Sequence, residues 1–304
     1  MRLHGVLATM PKDRLDIVPS PILTLLVSQA IFGAWGVVAR GIRLNGPVLA
    51  FIMAISGYLC SSLFVSHWRL RVPKRSLWVG LNLSLDVLLL IYAYRHLPLA
   101  IVITLHYMGP MIVQVVAPLA LGERPSHRQM GLALIGFFGG VLIAEPRFHE
   151  GEILGMAAAL GSAFTLAGNI ILQKKRMLDV ADPLRAVSEY NLVLALFTGT
   201  AMLMGNQAGE LFTRGVTTIL YAVFAGILVQ GAAMFLFNYS LTRMRGTVVA
   251  VVSSSEIVFA ALFGLLIYHE MLDIIQIAGM CFVIYAVMTL KMLEQDVNRS
   301  AGEA

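Results

Sequence analysis

The chain has 304 residues, of which 58% are hydrophobic and only 13% charged, with a mean hydropathy of +0.81. That balance lies far outside the range of a water-soluble domain, so a polytopic membrane protein is expected. The formal charge of +5 comes from Lys and Arg in short segments between apolar runs, not from a basic tail, so it carries topological information and does not point to nucleic acid.

Residues 1–20 carry Arg2, Lys12, Asp13, Arg14 and Asp16, with no apolar run followed by a small-residue cleavage site, and read as a cytoplasmic N-terminal tail. Ten stretches of near-bilayer length follow, predicted at 21–39, 47–66, 76–94, 98–119, 128–145, 153–173, 186–205, 216–238, 246–267 and 272–290. About 20 apolar residues cross a bilayer, and only helices satisfy their own backbone there without closing into a barrel. Residues 293–304 read as a second cytoplasmic tail. Assigning the basic residues to alternate sides of these spans puts 17 of the 22 on one side, and the positive-inside rule then places both termini in the cytoplasm. Cys60 and Cys281 fall inside apolar runs and read as packing residues, not as a disulfide or a metal site.

An internal repeat is also expected. Gly109-Pro110-Met111 sets against Glu256-Ile257-Val258 at an offset of 147 residues, which brings Glu123 onto Glu270. The two units would be residues 21–147 and 152–292, each of five spans. Five is odd, so the second unit enters the membrane from the opposite face, giving an inverted repeat of the kind used in alternating access.

These features together resemble the drug/metabolite transporter superfamily, and within it the EamA-like exporters. The likeness rests on Tyr92-Ala93-Tyr94, Leu97-Pro98-Leu99-Ala100, Gly109-Pro110, Gly122-Glu123 and Gly136 through Ala144 in the first half. In the second half it rests on Asn238-Tyr239-Ser240-Leu241, Ser255-Glu256, Phe259 through Gly264, and His269-Glu270. The resemblance implies outward transport of amino acids, their derivatives or other small metabolites, without nucleotide hydrolysis or a cofactor. Many members have Glu-Pro where this chain has Glu256-Ile257, so the ninth span is expected to be straighter than the fourth.

A charge at the bilayer centre costs about 2.5–3.5 kcal/mol on insertion scales, which singles out Asp86, His106 and Glu256, each near the middle of its span. Facing one cavity, they form a site that pairs with an ammonium or takes up a proton; otherwise each bonds a neighbouring helix. Pro110 leaves the carbonyl of His106 without its helical donor, and Gly109 permits close approach, so a kink is expected there. Trp35, Tyr107 and Asn169 are further cavity candidates, and Glu189 guards the inner mouth or pairs with Arg185 one turn earlier.

No phosphate loop, metal-ligand spacing or nucleophile triad occurs in the sequence. The reading is a secondary transporter in the bacterial inner membrane, exporting an amino acid or an amino-acid-derived metabolite up to the size of a metallophore. Its partners are a small-molecule substrate, the lipid bilayer and, where transport is proton-coupled, protons; neither nucleic acid nor ATP is expected. A lipid-modifying membrane enzyme and a passive channel are the alternatives.

Overall fold

The computed structural model describes residues 20–38, 42–65, 72–97, 99–144, 153–179, 182–269 and 271–302. The N-terminal tail up to residue 19, Pro98 and Glu270 therefore lie outside the described residues, as do several arginines of the charge count, among them Arg40, Arg69, Arg71 and Arg147.

Among the described residues every regular element is helical. In chain order they are α1 (Pro21–Val38), α2 (Gly46–Ser62), α3 (Lys74–His96), α4 (Leu99–His106), α5 (Gly109–Ala120), α6 (His127–Ala144), α7 (Ile153–Asp179) and α8 (Pro183–Met204). The short α9 (Glu210–Thr213) and α10 (Val216–Gly226) lead into a π-helical segment, Ile227–Ala233. After it come α11 (Met234–Arg243), α12 (Gly246–Ser253), α13 (Ser255–Tyr268) and α14 (Ile274–Gly302). Eight helices or helix pairs are long and apolar enough to cross a membrane, while α1 and α2 contribute shorter apolar stretches.

The outer surface explains the composition. Leu119, Phe164, Leu196 and Phe224 are exposed on the outside of the bundle, an arrangement tolerable in lipid and not in water. The core is built largely from small and β-branched residues, including Ala133, Ala167, Val248, Val249, Ala250 and Val252, because helices in lipid associate through close packing and not through a hydrophobic force.

Close approach is most literal where α6 meets α14. A Cβ on Gly139 would sit 2.7 Å from the Gly279 carbonyl oxygen, and one on Gly279 only 2.5 Å from that of Gly139. Elsewhere α2 packs on α8 and α3 on α7, while α1 lies against α13 on one side and against α11 and the π segment on the other. Helices α4 and α5 rest on α7, and α5 crosses α12.

The kink expected at Pro110 is a complete break: α4 ends at His106 and α5 begins at Gly109, with Pro110 in the first turn of the new helix, where its missing N–H costs nothing. The ninth span is interrupted as well. It breaks between α12 and α13 at Ser254, without a proline. The break falls within the run Ser253-Ser254-Ser255, where the Ser253 hydroxyl donates to the Val249 carbonyl at 2.8 Å, a back-bond that competes with the helical ladder.

A second correction concerns the sixth span. Predicted to end at residue 173, it continues as helix to Asp179, which takes Lys174 and Arg176 into the bundle as buried side chains and not as loop charges. The last helix likewise runs on through the predicted C-terminal tail to Gly302.

Candidate functional site: a central cavity shared by both halves

A cavity of about 390 Å³ lies in the middle of the bundle, reached by α1, α2, α3, α7, α8, the π segment, α11, α12 and α13. Its polar lining residues are Gln29, Asp86, Asn169, Gln173, Gln230, Ser253 and Glu256, and most of the remaining wall is apolar, including Phe32, Trp35, Leu83, Met234 and Phe237. Of the candidates read from the sequence, Asp86, Glu256, Trp35 and Asn169 line this cavity; His106, Tyr107 and Glu189 do not.

Asp86 is held by α7. The Thr165 hydroxyl donates to Asp86 Oδ1 at 2.5 Å and the Asn169 amide to Oδ2 at 3.2 Å. Asn82, one turn before Asp86 on α3, donates to Asn169 Oδ1 at 2.7 Å and to the Thr165 carbonyl at 2.8 Å, fixing the orientation of both donors. The site sits on the α3–α7 contact, with Gly168 admitting the Asn82 side chain: a Cβ there would lie 2.9 Å from Asn82 Oδ1.

Glu256 is the second residue of α13, immediately past the break at Ser254, and hydrogen-bonds the side chain of Tyr107. Tyr107 is therefore a supporting residue behind the cavity wall, sitting in the α4–α5 break with its ring edge-on to His106, centroids 5.6 Å apart. His106 turns toward α7, where its Nδ1 lies 2.9 Å from Ser162 Oγ. The expectation that His106 lines the cavity with the two carboxylates fails for a simple reason: depth along a helix says nothing about azimuth, and each residue turns it by about 100°.

Glu189 belongs to a separate buried cluster next to the Gln173 end of the cavity. Its Oε2 lies 2.7 Å from Arg176 Nη2, and the Ser76 hydroxyl donates to the same oxygen while accepting from Arg176 Nε at 2.7 Å. The expected partner Arg185 is present as well, 3.0 Å from Oε1; Arg176 is a partner that the sequence does not announce. Two further ties surround this cluster. Tyr190 donates to Asn238 Oδ1 at 2.7 Å while Asn238 donates to Gln173 Oε1 at 2.9 Å, and Lys174 Nζ donates to the carbonyls of Leu241 and Met244 at 2.7 and 2.6 Å. At the α4–α5 side, the Glu123 carboxylate accepts from the backbone N–H groups of Gly246 and Thr247, both at 2.9 Å, capping the start of α12.

Residues that sequence reasoning leaves out are Thr165, Gln173 and Ser253 in the site and Lys174 and Arg176 beside it. Gln29 and Gln230 also belong to the lining. Gln29 Nε2 and Gln230 Oε1 are buried without a hydrogen-bond partner. Gln230 lies within the π segment, a helix defect frequent at functional sites, and Ser28 ties that segment to α1 through the Ala233 carbonyl at 2.8 Å.

Comparison with known proteins bears on this arrangement. The EamA-like transporter family matches residues 153–292. The chain is 22% identical over 291 residues to the pseudopaline exporter of Pseudomonas aeruginosa, covering 91% of this chain and 97% of that protein. It is 26% identical over 295 residues to the threonine/homoserine exporter of Escherichia coli, covering 91% and 96% respectively. A solved crystal structure shares the fold with a TM-score of 0.76 at 14% identity, covering 90% of this chain and 98% of that one. Both relatives are named as exporters, and the matching family is described as transporters. Over residues 153–292 the chain thus matches the EamA-like transporter family, and over nine-tenths of its length it is similar to named exporters.

Proposed function

We propose that this protein is a secondary exporter of an amino acid or an amino-acid-derived metabolite, working by alternating access in the bacterial inner membrane with Asp86 and Glu256 as its central site. The observation that carries the reading is that these two carboxylates, one from each half of the chain, line a single cavity. Separate burial of each is costly in a bilayer, whereas a shared cavity gives both a partner in the solute. The named substrates of the two relatives, pseudopaline and threonine/homoserine, fall in the proposed class.

The proposal includes ten spans arranged as two inverted five-helix units with both termini cytoplasmic. The α4–α5 and α10–α11 pairs, the latter with its π segment, and the α12–α13 pair each count as one span. Three observations support it. Exchanging spans one to five with six to ten preserves the packing scheme: α2–α8 and α6–α14 map onto themselves, α3–α7 maps onto α11–α1, and α1–α13 maps onto α7–α5. The two mid-span breaks occur at Met108 and Ser254, 146 residues apart, in near-identical backbone conformations of φ −66°, ψ −18° and φ −60°, ψ −18°. Gly80 and Gly226 share that separation and a similar role, one packed on Val193 of α8 and the other on Met53 of α2.

A passive channel is disfavoured by the buried ties beside Gln173, which close the bundle at that end of the cavity. Energy comes from the solute gradient or from protons, with Asp86 or Glu256 as the proton carrier. Metabolite comparison of the medium from deletion and overexpression strains tests the function: one amino-acid-class compound should rise with expression and fall on deletion. Asp86→Asn and Glu256→Gln should abolish that rise at unchanged protein level. Media that match in every such compound sink the exporter reading.

A further inference from the structure

The charge inventory of the cavity narrows its substrate. Asp86 and Glu256 line it, and among the described residues no Lys, Arg or His does. The partners of both carboxylates in the folded chain are neutral: a hydroxyl and an amide for Asp86, and Tyr107 for Glu256. The two buried cations of α7 are already committed. Lys174, one residue past the lining residue Gln173, is held by two carbonyls, and Arg176 is paired with Glu189.

A buried carboxylate is best stabilised by an opposite charge in contact with it, and this chain supplies none at the cavity. Most of the wall around the carboxylates is apolar, with Phe32, Trp35, Leu83, Leu194, Met234 and Phe237 among the lining side chains. Gln29 adds an uncommitted donor: it is 1% exposed and its Nε2 has no partner. An unpaired buried donor is a standing cost that a ligand acceptor relieves.

Resting on the exporter reading above, we propose that the cavity selects a solute that brings its own ammonium on an apolar body, and that Gln29 reads a carboxylate carried beside that ammonium. The ammonium faces Asp86 and Glu256. A zwitterion is accepted because Gln29 offers a neutral donor to its carboxylate, while a solute of net negative charge finds two carboxylates and no cation. The preferred class is thus an amine or α-amino acid with an apolar side chain, and polycarboxylates are rejected.

Three compounds with one ring and one two-carbon chain separate these terms: L-phenylalanine, phenethylamine and 3-phenylpropanoate. Purified full-length protein in lipid nanodiscs is given radiolabelled L-phenylalanine, and unlabelled compounds compete. Phenethylamine should compete within about tenfold of phenylalanine, and 3-phenylpropanoate at least about tenfold more weakly than either. Gln29→Leu should weaken phenylalanine about tenfold and leave phenethylamine unchanged, which also shows that the variant folds. Gln29→Glu should weaken phenylalanine further while strengthening phenethylamine.

Equal competition by 3-phenylpropanoate and phenylalanine overturns the charge rule on the wild-type protein alone. Equal weakening of amine and amino acid by Gln29→Leu overturns the role of Gln29. Absence of phenylalanine binding overturns the inference as a whole, whereas the exporter reading stands or falls separately on the medium comparison, which uses no aromatic probe.

Discussion

Replacing Glu189 by Gln removes one charge from the buried cluster and little volume. Arg176 is left 2% exposed with its guanidinium in contact with a neutral amide and the Ser76 hydroxyl. Deleting one partner of a buried ion pair costs about 3–5 kcal/mol, because the remaining charge is stranded away from water. The second cation contributes little to that figure: Arg185 is 40% exposed on its side chain, and such half-exposed pairs are worth about 0–1 kcal/mol. Some of the loss is recovered, since the carbonyl oxygen of the introduced amide still accepts from Arg176, so a net cost near about 3 kcal/mol is expected.

The measurement is reversible unfolding of purified protein in mixed micelles, followed by tryptophan fluorescence, as a double-mutant cycle of Glu189→Leu, Arg176→Met and the pair. Removing both charges together should be far less harmful than the sum of the single changes, because well-packed apolar residues replace a buried ion pair with little penalty. The same cluster lies beside Gln173 at one end of the cavity. A loss of about 3 kcal/mol there corresponds to roughly a hundredfold shift between closed and open forms of that end. A cysteine placed at Gln173 should therefore react faster with a thiol reagent in the Glu189→Gln background. Glu189→Gln stability within about 1 kcal/mol of wild type, or additive singles in the cycle, would refute the reasoning.

Two further outcomes test the packing. Gly279→Ala places a methyl group 2.5 Å from the Gly139 carbonyl oxygen and 2.9 Å from the Ile143 nitrogen, so α6 and α14 must separate at a cost of about 1–3 kcal/mol; Gly140→Ala, whose nearest new neighbour is Ile257 Cδ1 at 3.5 Å, should melt like wild type in the same thermal assay. Ser253→Ala removes the back-bond to Val249 and favours a continuous helix through the second break; stability should change by less than about 1 kcal/mol while export falls, and wild-type export would show that the break does not position Glu256.

Much of this architecture is legible in the sequence because hydrocarbon imposes a length. Apolar runs of about 20 residues between basic segments locate the helices, and the α4–α5 break is written in Pro110. Asp86 and Glu256 are legible for a related reason: a carboxylate at mid-span is expensive enough to demand a role. What the sequence hides depends on azimuth and on neutral groups. His106 has the right depth and faces Ser162 instead. Thr165, which holds Asp86, is one hydroxyl among many. Lys174 and Arg176 look like loop charges until α7 is seen to run on to Asp179, where carbonyls and Glu189 receive them. The second break has no proline to announce it, and the π segment around Gln230 has no residue signature at all.

The two carboxylates are held in physically different ways, and this bears on which of them responds to motion. Asp86 is bonded by Thr165 and Asn169, both on α7, across the long α3–α7 contact between two unbroken helices. A rigid shift of that pair carries Asp86 and its donors together. Glu256 follows directly on the second break, and its partner Tyr107 sits in the first. Breaks are where a helix changes angle at least cost, since the local hydrogen-bond ladder is already interrupted. Any rearrangement that alters either angle therefore alters the Tyr107–Glu256 contact while leaving the Asp86 bonds intact. In an alternating-access cycle this makes Asp86 the fixed anchor for the solute and Glu256 the group whose partner changes with conformation. Asp86→Asn should then act mainly on substrate affinity. Tyr107→Phe should act mainly on the rate of the conformational step and Glu256→Gln on that rate as well as on affinity, a division that equal effects on binding from all three variants would contradict.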